Sequence, residues 1–303
     1  MNTSYKEGRE HLACFFGEFG FPEEAGEELL AVYDKITADK ACADEVFSAV
    51  AEYKSKDYDF ILNLEKVKAA FERAGIISFQ GELIFIVLLA RRLRELYAKE
   101  GIPDEVYKNT MLDCRYKLIE CKCVEGIWGT FVSSWYKGFF NMTRFGLGRL
   151  QYDMSTIKTD YKGQGVELTS NSKILSVHIP RSEERLDKEL VVDSYRRAIE
   201  FFADYFKDEP TVFVCNSWLL YTENKKILNP DSNIYKFISD YEVIHTKDYS
   251  SYKEMWRLFD VKITDDVDSL PRDSSLRRAY ADRMKRGEPL GCSFGVYVPN
   301  DLK

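Results

Sequence analysis

The sequence predicts an α+β protein of two parts, an all-helical N-terminal domain over residues 1–125 and an α/β, mixed-sheet domain over residues 126–303. Three observations predict it. At 303 residues, 45% hydrophobic and 31% charged, the chain exceeds what one modest core needs and has ample material to pack two. Apolar residues recur at helical spacing through the first 125 positions, then give way to short β-rich runs punctuated by Gly and Pro. The charge divides at the same place. Residues 1–125 hold 17 Lys+Arg against 24 Asp+Glu, the whole formal charge of −7, and residues 126–303 hold 26 of each.

These numbers also exclude. An acidic half repels a phosphate backbone, so no nucleic-acid partner is expected, although a local basic helix is left open. The longest apolar run, Leu83 to Ala90, falls far short of the roughly 20 residues a membrane span needs, so no membrane partner is expected. Met1 to Gly8 lacks the basic flank and apolar stretch of a signal peptide. Seven cysteines, an odd number without framework spacing, read as free thiols in a reducing compartment, and a cytoplasmic location follows.

In the front half, Phe60, Ile61, Leu64, Val67 and Phe71 lie on one face of a helix from Tyr58 to Arg73 that Gly75 ends. The segment from Glu82 to Tyr97 is apolar on every side up to Ala90, and such a helix must be enclosed by its neighbours at the centre of a bundle. Pro103, Asp104 and Glu105 start the next helix with a fixed φ and carboxylates at the positive dipole end. Its face is Val106, Met111, Cys114, Leu118 and Cys121. Cys114, Cys121 and Cys123 have no His or fourth thiol at ligand spacing and read as buried structural thiols, with no metal.

After Glu125, aromatics and glycines crowd positions 126–148, as at a junction or a pocket wall. Phe145 to Met154 reads as a strand. Tyr161 to Val166 (YKGQGV) reads as a hairpin turn in preference to a phosphate cradle. Ile174 to Ile179 is a strand that stops at Pro180. An amphipathic helix over 187–206 follows, then a strand at 211–215, a helical stretch over 223–238 broken at Asn229-Pro230, and a strand at 241–245. Ser274 caps a basic helix ending at Gly287, and 293–298 is a closing strand. A strand, a crossover helix and a strand imply a parallel pair, with ligands beyond its carboxyl ends. Those ends are His178-Ile179-Pro180 and Asn216-Ser217-Trp218.

The stretches RFGLGRLQYD (144–153), VHIP (177–180), DSYRRAIEFF (193–202), VCNSWLL (214–220), DSNIYKF (231–237) and LPRDSSLRRA (270–279) resemble, in order and spacing, a family of bacterial acyltransferases. That family joins an N-terminal helical acyltransferase domain to a GNAT-like C-terminal domain. The resemblance implies a GNAT-like mixed sheet and acyl transfer from acetyl-CoA or another acyl-CoA to a small amine. It implies pantetheine along the strand ending at His178, with Val177, Ile179, Arg181, Ser182 and Asn216 near the cofactor. Arg/Gln-x-x-Gly-x-Gly/Ala is usual in the next turn; here RSEERLDKE has no glycine and four acidic residues. That departure motivates the alternative of a non-catalytic GNAT-fold binding or scaffold protein.

For catalysis, His178 is the candidate base, Ser217 a donor to the reacting carbonyl, and Tyr221 the acid implied by the resemblance. Arg149, Tyr152 and Trp218 are candidates for the acceptor pocket. The basic residues of the helix after Ser274, Arg277 among them, offer an alternative phosphate site, and Cys215 permits a thiol-nucleophile reading.

Overall fold

A computed structural model of the chain describes residues 3–207 and 209–299. It divides into two compact units, Met1–Gly146 and Leu147–Lys303.

The first unit contains α1 (Thr3–Glu18), α2 (Glu23–Ala38), α3 (Lys40–Glu52), α4 (Phe60–Arg73), α5 (Ser78–Lys99), α6 (Asp104–Met111), α7 (Asp113–Glu125) and the single turn α8 (Lys137–Phe140). Asp39 and Asp59 cap α3 and α4, their carboxylates accepting from Cys42 N–H at 3.0 Å and Leu62 N–H at 3.1 Å. The all-round apolar helix is α5. Residues 80 to 90 are buried without a break, and α1, α2, α3, α4, α6 and α7 pack against it. It begins at Ser78, four residues ahead of the sequence reading.

Two readings are corrected here. The helix from Pro103 is two helices that break at Leu112. Cys114 and Cys121 are buried but Cys123 is exposed, so only two of the three thiols are core. Among the described residues no three His, Cys, Asp or Glu stand close enough to hold a metal ion.

The aromatic stretch after Glu125 packs with the helices. Thr130 N–H bonds Phe79 C=O at 2.9 Å, Tyr53 hydroxyl donates to Phe140 C=O at 2.9 Å, and Gly146 N–H donates to Thr110 Oγ1 at 2.9 Å. The division between the two compact units falls between Gly146 and Leu147. Among the described residues no helix is long and apolar enough to cross a membrane.

β1 (Arg144–Leu147) spans the division, and the second unit continues with β2 (Leu150–Thr156), β3 (Tyr161–Gly163), β4 (Val166–Leu168), β5 (Lys173–His178), α9 (Lys188–Phe201), α10 (Ala203–Phe206), β6 (Phe213–Ser217), α11 (Asn233–Ser239), β7 (Glu242–Asp248), α12 (Trp256–Phe259), α13 (Ser275–Lys285) and β8 (Gly291–Tyr297). The strand expected over 145–154 is split into β1 and β2 at Gly148, whose φ of 72° leaves the β region. The main sheet runs β1-β2-β5-β6-β8-β7, and β3-β4 is a separate hairpin. Positive φ at both Gln164 (47°) and Gly165 (79°) makes its turn the kind that matches strand twist. The Gln164 side chain then bonds Val296 C=O and Val298 N–H, each at 2.9 Å, and fixes the hairpin to β8.

β5 and β6 are parallel, as the crossover through α9 implies, and β8 runs antiparallel to both β6 and β7. Each sheet face has its own core. Ile174, Val212, Val214, Val296 and Val298 meet Tyr161 and Leu168 of the hairpin. On the other face, Tyr152, Phe213 and Tyr297 pack on Tyr195 of α9, with ring centroids 4.8–6.4 Å apart.

Candidate functional site

The sheet opens between β5 and β6. Their ladder pairs Leu175 with Phe213 and Ser176 with Val214, and there it stops, while β5 continues to His178 and β6 to Ser217. Each strand stays paired on its outer side. β5 matches β2 through Gln151↔His178, and β6 matches β8 through Ser217↔Ser293. The result is a wedge whose walls are two strand ends held from outside. Leu175 N–H donates to Val212 C=O across the surviving ladder, at 2.9 Å. Backbone groups alternate sides along a strand, so those of Val177 in β5 and Asn216 in β6 both point between the strands. The Val177 N–H closes the last rung on Val214 C=O, and the Val177 C=O and the Asn216 N–H lie beyond it at the wedge.

The same alternation sorts the side chains. His178 is in phase with Ile174, and Asn216 with Val212 and Val214, so both lie on the hairpin face of the sheet. Ser217 is in phase with Phe213 and Cys215 and lies on the helix face. His178 and Asn216 therefore share a face on either side of the opening, whereas His178 and Ser217 lie on opposite faces. His178 is half-buried and Asn216 exposed. The Ser217 hydroxyl oxygen accepts from Leu219 N–H at 3.2 Å and caps the 3-10 turn over Trp218–Leu220.

Tyr221 does not reach the wedge. Its hydroxyl donates to Asp248 Oδ1 at 2.7 Å on β7, and its ring lies against Gly291 of β8. Burial first, then the bond to Asp248, pushes its pKa up to about 12. A phenol so held, on the β8–β7 side of the sheet, is not placed to protonate a thiolate between β5 and β6.

The acceptor-pocket residues also have structural partners. Tyr152 is fully buried, bonds Ser194 Oγ at 2.9 Å, and has its pKa raised well above 10 by burial. Trp218 packs edge-on to Tyr280, centroids 5.6 Å apart, in the core under α13. Arg149 is buried, and its guanidinium donates to Pro180 C=O at 3.1 Å and Arg185 C=O at 3.3 Å. It ties down the segment after β5. Cys215 is 1% exposed and burial pushes its thiol up to about 12, the opposite of what a nucleophile needs.

The segment between β5 and α9 carries the other proposed cofactor residues. Ile179, Arg181 and Ser182 are half-buried, and Glu183 and Glu184 are exposed. Ser182 Oγ accepts from Glu184 N–H at 3.1 Å, which rounds the turn. Arg181 is ion-paired to Asp260, which also receives Arg277 of α13. Sequence reading placed Arg181 and Arg277 at separate sites and gave no signal for Asp260.

Two family models cover nearly the whole chain, the GNAT-like C-terminal domain over residues 145–297 and the N-acyltransferase N-terminal domain over residues 10–142. Among solved structures, an acyltransferase variant in complex with octanoyl-CoA has a TM-score of 0.76 at 20% identity, covering 95% of this chain and 88% of that one. An acyltransferase in complex with decanoyl-CoA and teicoplanin has a TM-score of 0.73 at 20% identity, covering 93% and 86%. A further acyltransferase in complex with decanoyl-CoA has 0.74 at 19%, with the same coverage. No curated protein sequence matches the chain.

Proposed function

The chain belongs to the acyltransferase family defined by an N-acyltransferase N-terminal domain and a GNAT-like C-terminal domain, and from that premise we propose that it transfers an acyl group from an acyl-CoA to a small amine. The observation that carries the reading is the wedge between β5 and β6. A thioester arm laid along β5 finds the C=O of Val177 beyond the last rung and the N–H of Asn216 across the opening, one acceptor and one donor for an extended amide-bearing chain. The thioester carbonyl then lies near the strand ends, where His178 and Asn216 share a face.

In the reaction the amine nitrogen attacks the thioester carbon, a C–N bond forms, and the C–S bond breaks with its electrons passing to sulfur. His178 takes the proton from the attacking nitrogen, directly or through a water. Asn216 donates to the oxygen on which charge develops. The proton on His178 returns through solvent to the departing thiolate. The structural neighbours that hold octanoyl- and decanoyl-CoA make medium-chain donors the first to try, after acetyl-CoA.

Calorimetric titration with acetyl-, octanoyl- and decanoyl-CoA tests binding. Micromolar affinity at one site per chain, with free thiol released on adding an amine, supports the enzyme reading. Loss of that release in His178→Ala, with the melting temperature kept, supports the base; full activity removes His178 from the mechanism. A second reading, a GNAT-fold binding protein without catalysis, draws on the glycine-free segment at 181–187 with its exposed Glu183 and Glu184. Absence of binding across the whole series favours it.

A further inference from the structure

Arg181 and Arg277 are 96 positions apart in sequence, yet both guanidinium groups meet the carboxylate of Asp260. Arg181 follows Pro180 at the open end of β5. Arg277 lies in the first turn of α13, where Ser274 caps the helix, and reaches Asp260 Oδ2 at 2.6 Å while its Nε–H donates to Leu258 C=O at 2.8 Å. A second carboxylate, Asp273, holds the remaining edge of Arg277 at 2.9 Å. Their side chains are 32% exposed for Arg181, 18% for Arg277 and 28% for Asp260, so the cluster is shielded but reachable from solvent.

Other cations of α13 and its flanks are committed elsewhere. Lys285 pairs with Asp268, Arg286 with Glu288, and Arg272 with Asp282. Arg277 is the α13 cation that shares a carboxylate, Asp260, with the segment following β5. That segment has no glycine to bring backbone N–H groups close to a phosphate, so side chains must supply the donors. Two planar guanidinium groups turned to one carboxylate offer parallel N–H donors of the sort that also fits a phosphate. Asp260 has a left-handed φ of 56°, a conformation that glycine or asparagine accepts more readily at the end of a helix. The turn alone therefore does not call for a carboxylate.

We propose that Arg181 and Arg277 form the phosphate clamp of the acyl-CoA site, and that Asp260 occupies the clamp as an internal stand-in which the incoming phosphate displaces. The proposal rests on the acyl-CoA reading and adds to it the phosphate-binding residues and a built-in competitor. The competitor lowers affinity for every phosphate-bearing ligand alike and keeps the guanidinium pair from repelling itself while the site is empty.

The test is calorimetric titration of the full chain with octanoyl-CoA, its 3′-dephospho form, and octanoyl-pantetheine, which has no phosphate. Arg277→Gln is expected to weaken octanoyl-CoA about tenfold and to change octanoyl-pantetheine less than twofold. Asp260→Asn is expected to tighten octanoyl-CoA about threefold or more with the pantetheine form unchanged. Arg181→Gln, at a more exposed position, repeats the Arg277 result should Asp260→Asn or Arg277→Gln fail to fold. An Arg277 effect lost with the dephospho form assigns the clamp to the 3′-phosphate; an effect kept there assigns it to the pyrophosphate. The clamp is overturned if both arginine variants bind octanoyl-CoA as tightly as the unmodified chain, or if the pantetheine form weakens equally. The stand-in role is overturned if folded Asp260→Asn binds octanoyl-CoA more weakly. Binding of none of the three compounds overturns the acyl-CoA reading itself, and the clamp with it.

Discussion

Replacing Arg149 with methionine tests whether this buried arginine holds the segment after β5 in place. The guanidinium donates to Pro180 C=O at 3.1 Å and to Arg185 C=O at 3.3 Å, so it clasps the segment at both ends. Methionine keeps much of the buried volume and removes both donors. A hydrogen bond from a charged donor contributes about 1.5–3 kcal/mol and a long one less, and the Arg185 end is recovered in part by water. A net loss of about 2 kcal/mol follows, which raises the open population of the segment about 30-fold. Arg181 and Arg185 are themselves trypsin sites, so limited trypsinolysis followed by mass spectrometry reads that population directly when opening is fast relative to cleavage. Cleavage after these two residues is expected to accelerate 10- to 30-fold in Arg149→Met. Lys162→Met, which removes the exposed ion pair of Lys162 with Glu167, is expected to leave it unchanged. An acceleration below threefold would show that packing alone fixes the segment.

Three further outcomes follow from buried groups. Ser194 Oγ accepts from Leu150 N–H at 3.1 Å, bonds the Tyr152 hydroxyl and donates to Leu147 C=O, so Ser194→Ala leaves three buried polar groups short of a partner. A stability loss of about 3 kcal/mol in urea unfolding is expected, and a loss under 1 kcal/mol would mean that water replaces the hydroxyl. Cys215 is expected to resist iodoacetamide at pH 8 while exposed Cys14 and Cys123 react, because burial pushes its thiol up to about 12; labelling of Cys215 in the folded chain contradicts this. His11, whose Nε2–H donates to Val87 C=O at 2.8 Å, has its pKa lowered mainly by burial. The unfolded chain therefore binds its proton first, and the helical unit loses stability as pH falls below about 6.5. His11→Gln is expected to flatten that decline between pH 7 and pH 5.5, and an identical slope in both proteins would remove His11 as its source.

Much of the architecture was legible because it is written locally. An apolar run with no polar side, from Leu83 to Ala90, has only one place to go, and α5 lies among six other helices. The β5–α9–β6 unit followed from strand, crossover helix and strand, and its parallel pairing gave the position of the wedge. The break at Leu112 left no such mark. Leu112 keeps helical dihedrals of −57° and −22° at the junction of α6 and α7, so no proline or glycine announces it. Tyr152 and Trp218 show the limit for aromatics, since a pocket wall and a core residue have the same local sequence and differ only in what lies opposite, here Ser194 and Tyr280.

Charge is where a linear reading errs most, because it weights every side chain equally. In the sequence the segment after β5 looks hostile to phosphate, with Glu183, Glu184, Asp187 and Glu189 against Arg181 and Arg185. In the fold Glu183, Glu184 and Glu189 are exposed, and water and salt screen such charges strongly beyond about 8–10 Å. Asp187 is half-buried and its carboxylate accepts from the Asn233 side chain. More shielded than these glutamates are buried Arg149 and the trio Arg181, Asp260 and Arg277, the trio drawn from three separate parts of the chain. Shielded charges act at a lower effective dielectric, so each of the trio weighs more than an exposed glutamate at the same distance. Counting also the more exposed Asp273 on Arg277, the two arginines are balanced with Asp260 in place, and one positive charge is in excess with Asp260 displaced. The acidic count along the segment is therefore no argument against an anion at the end of β5.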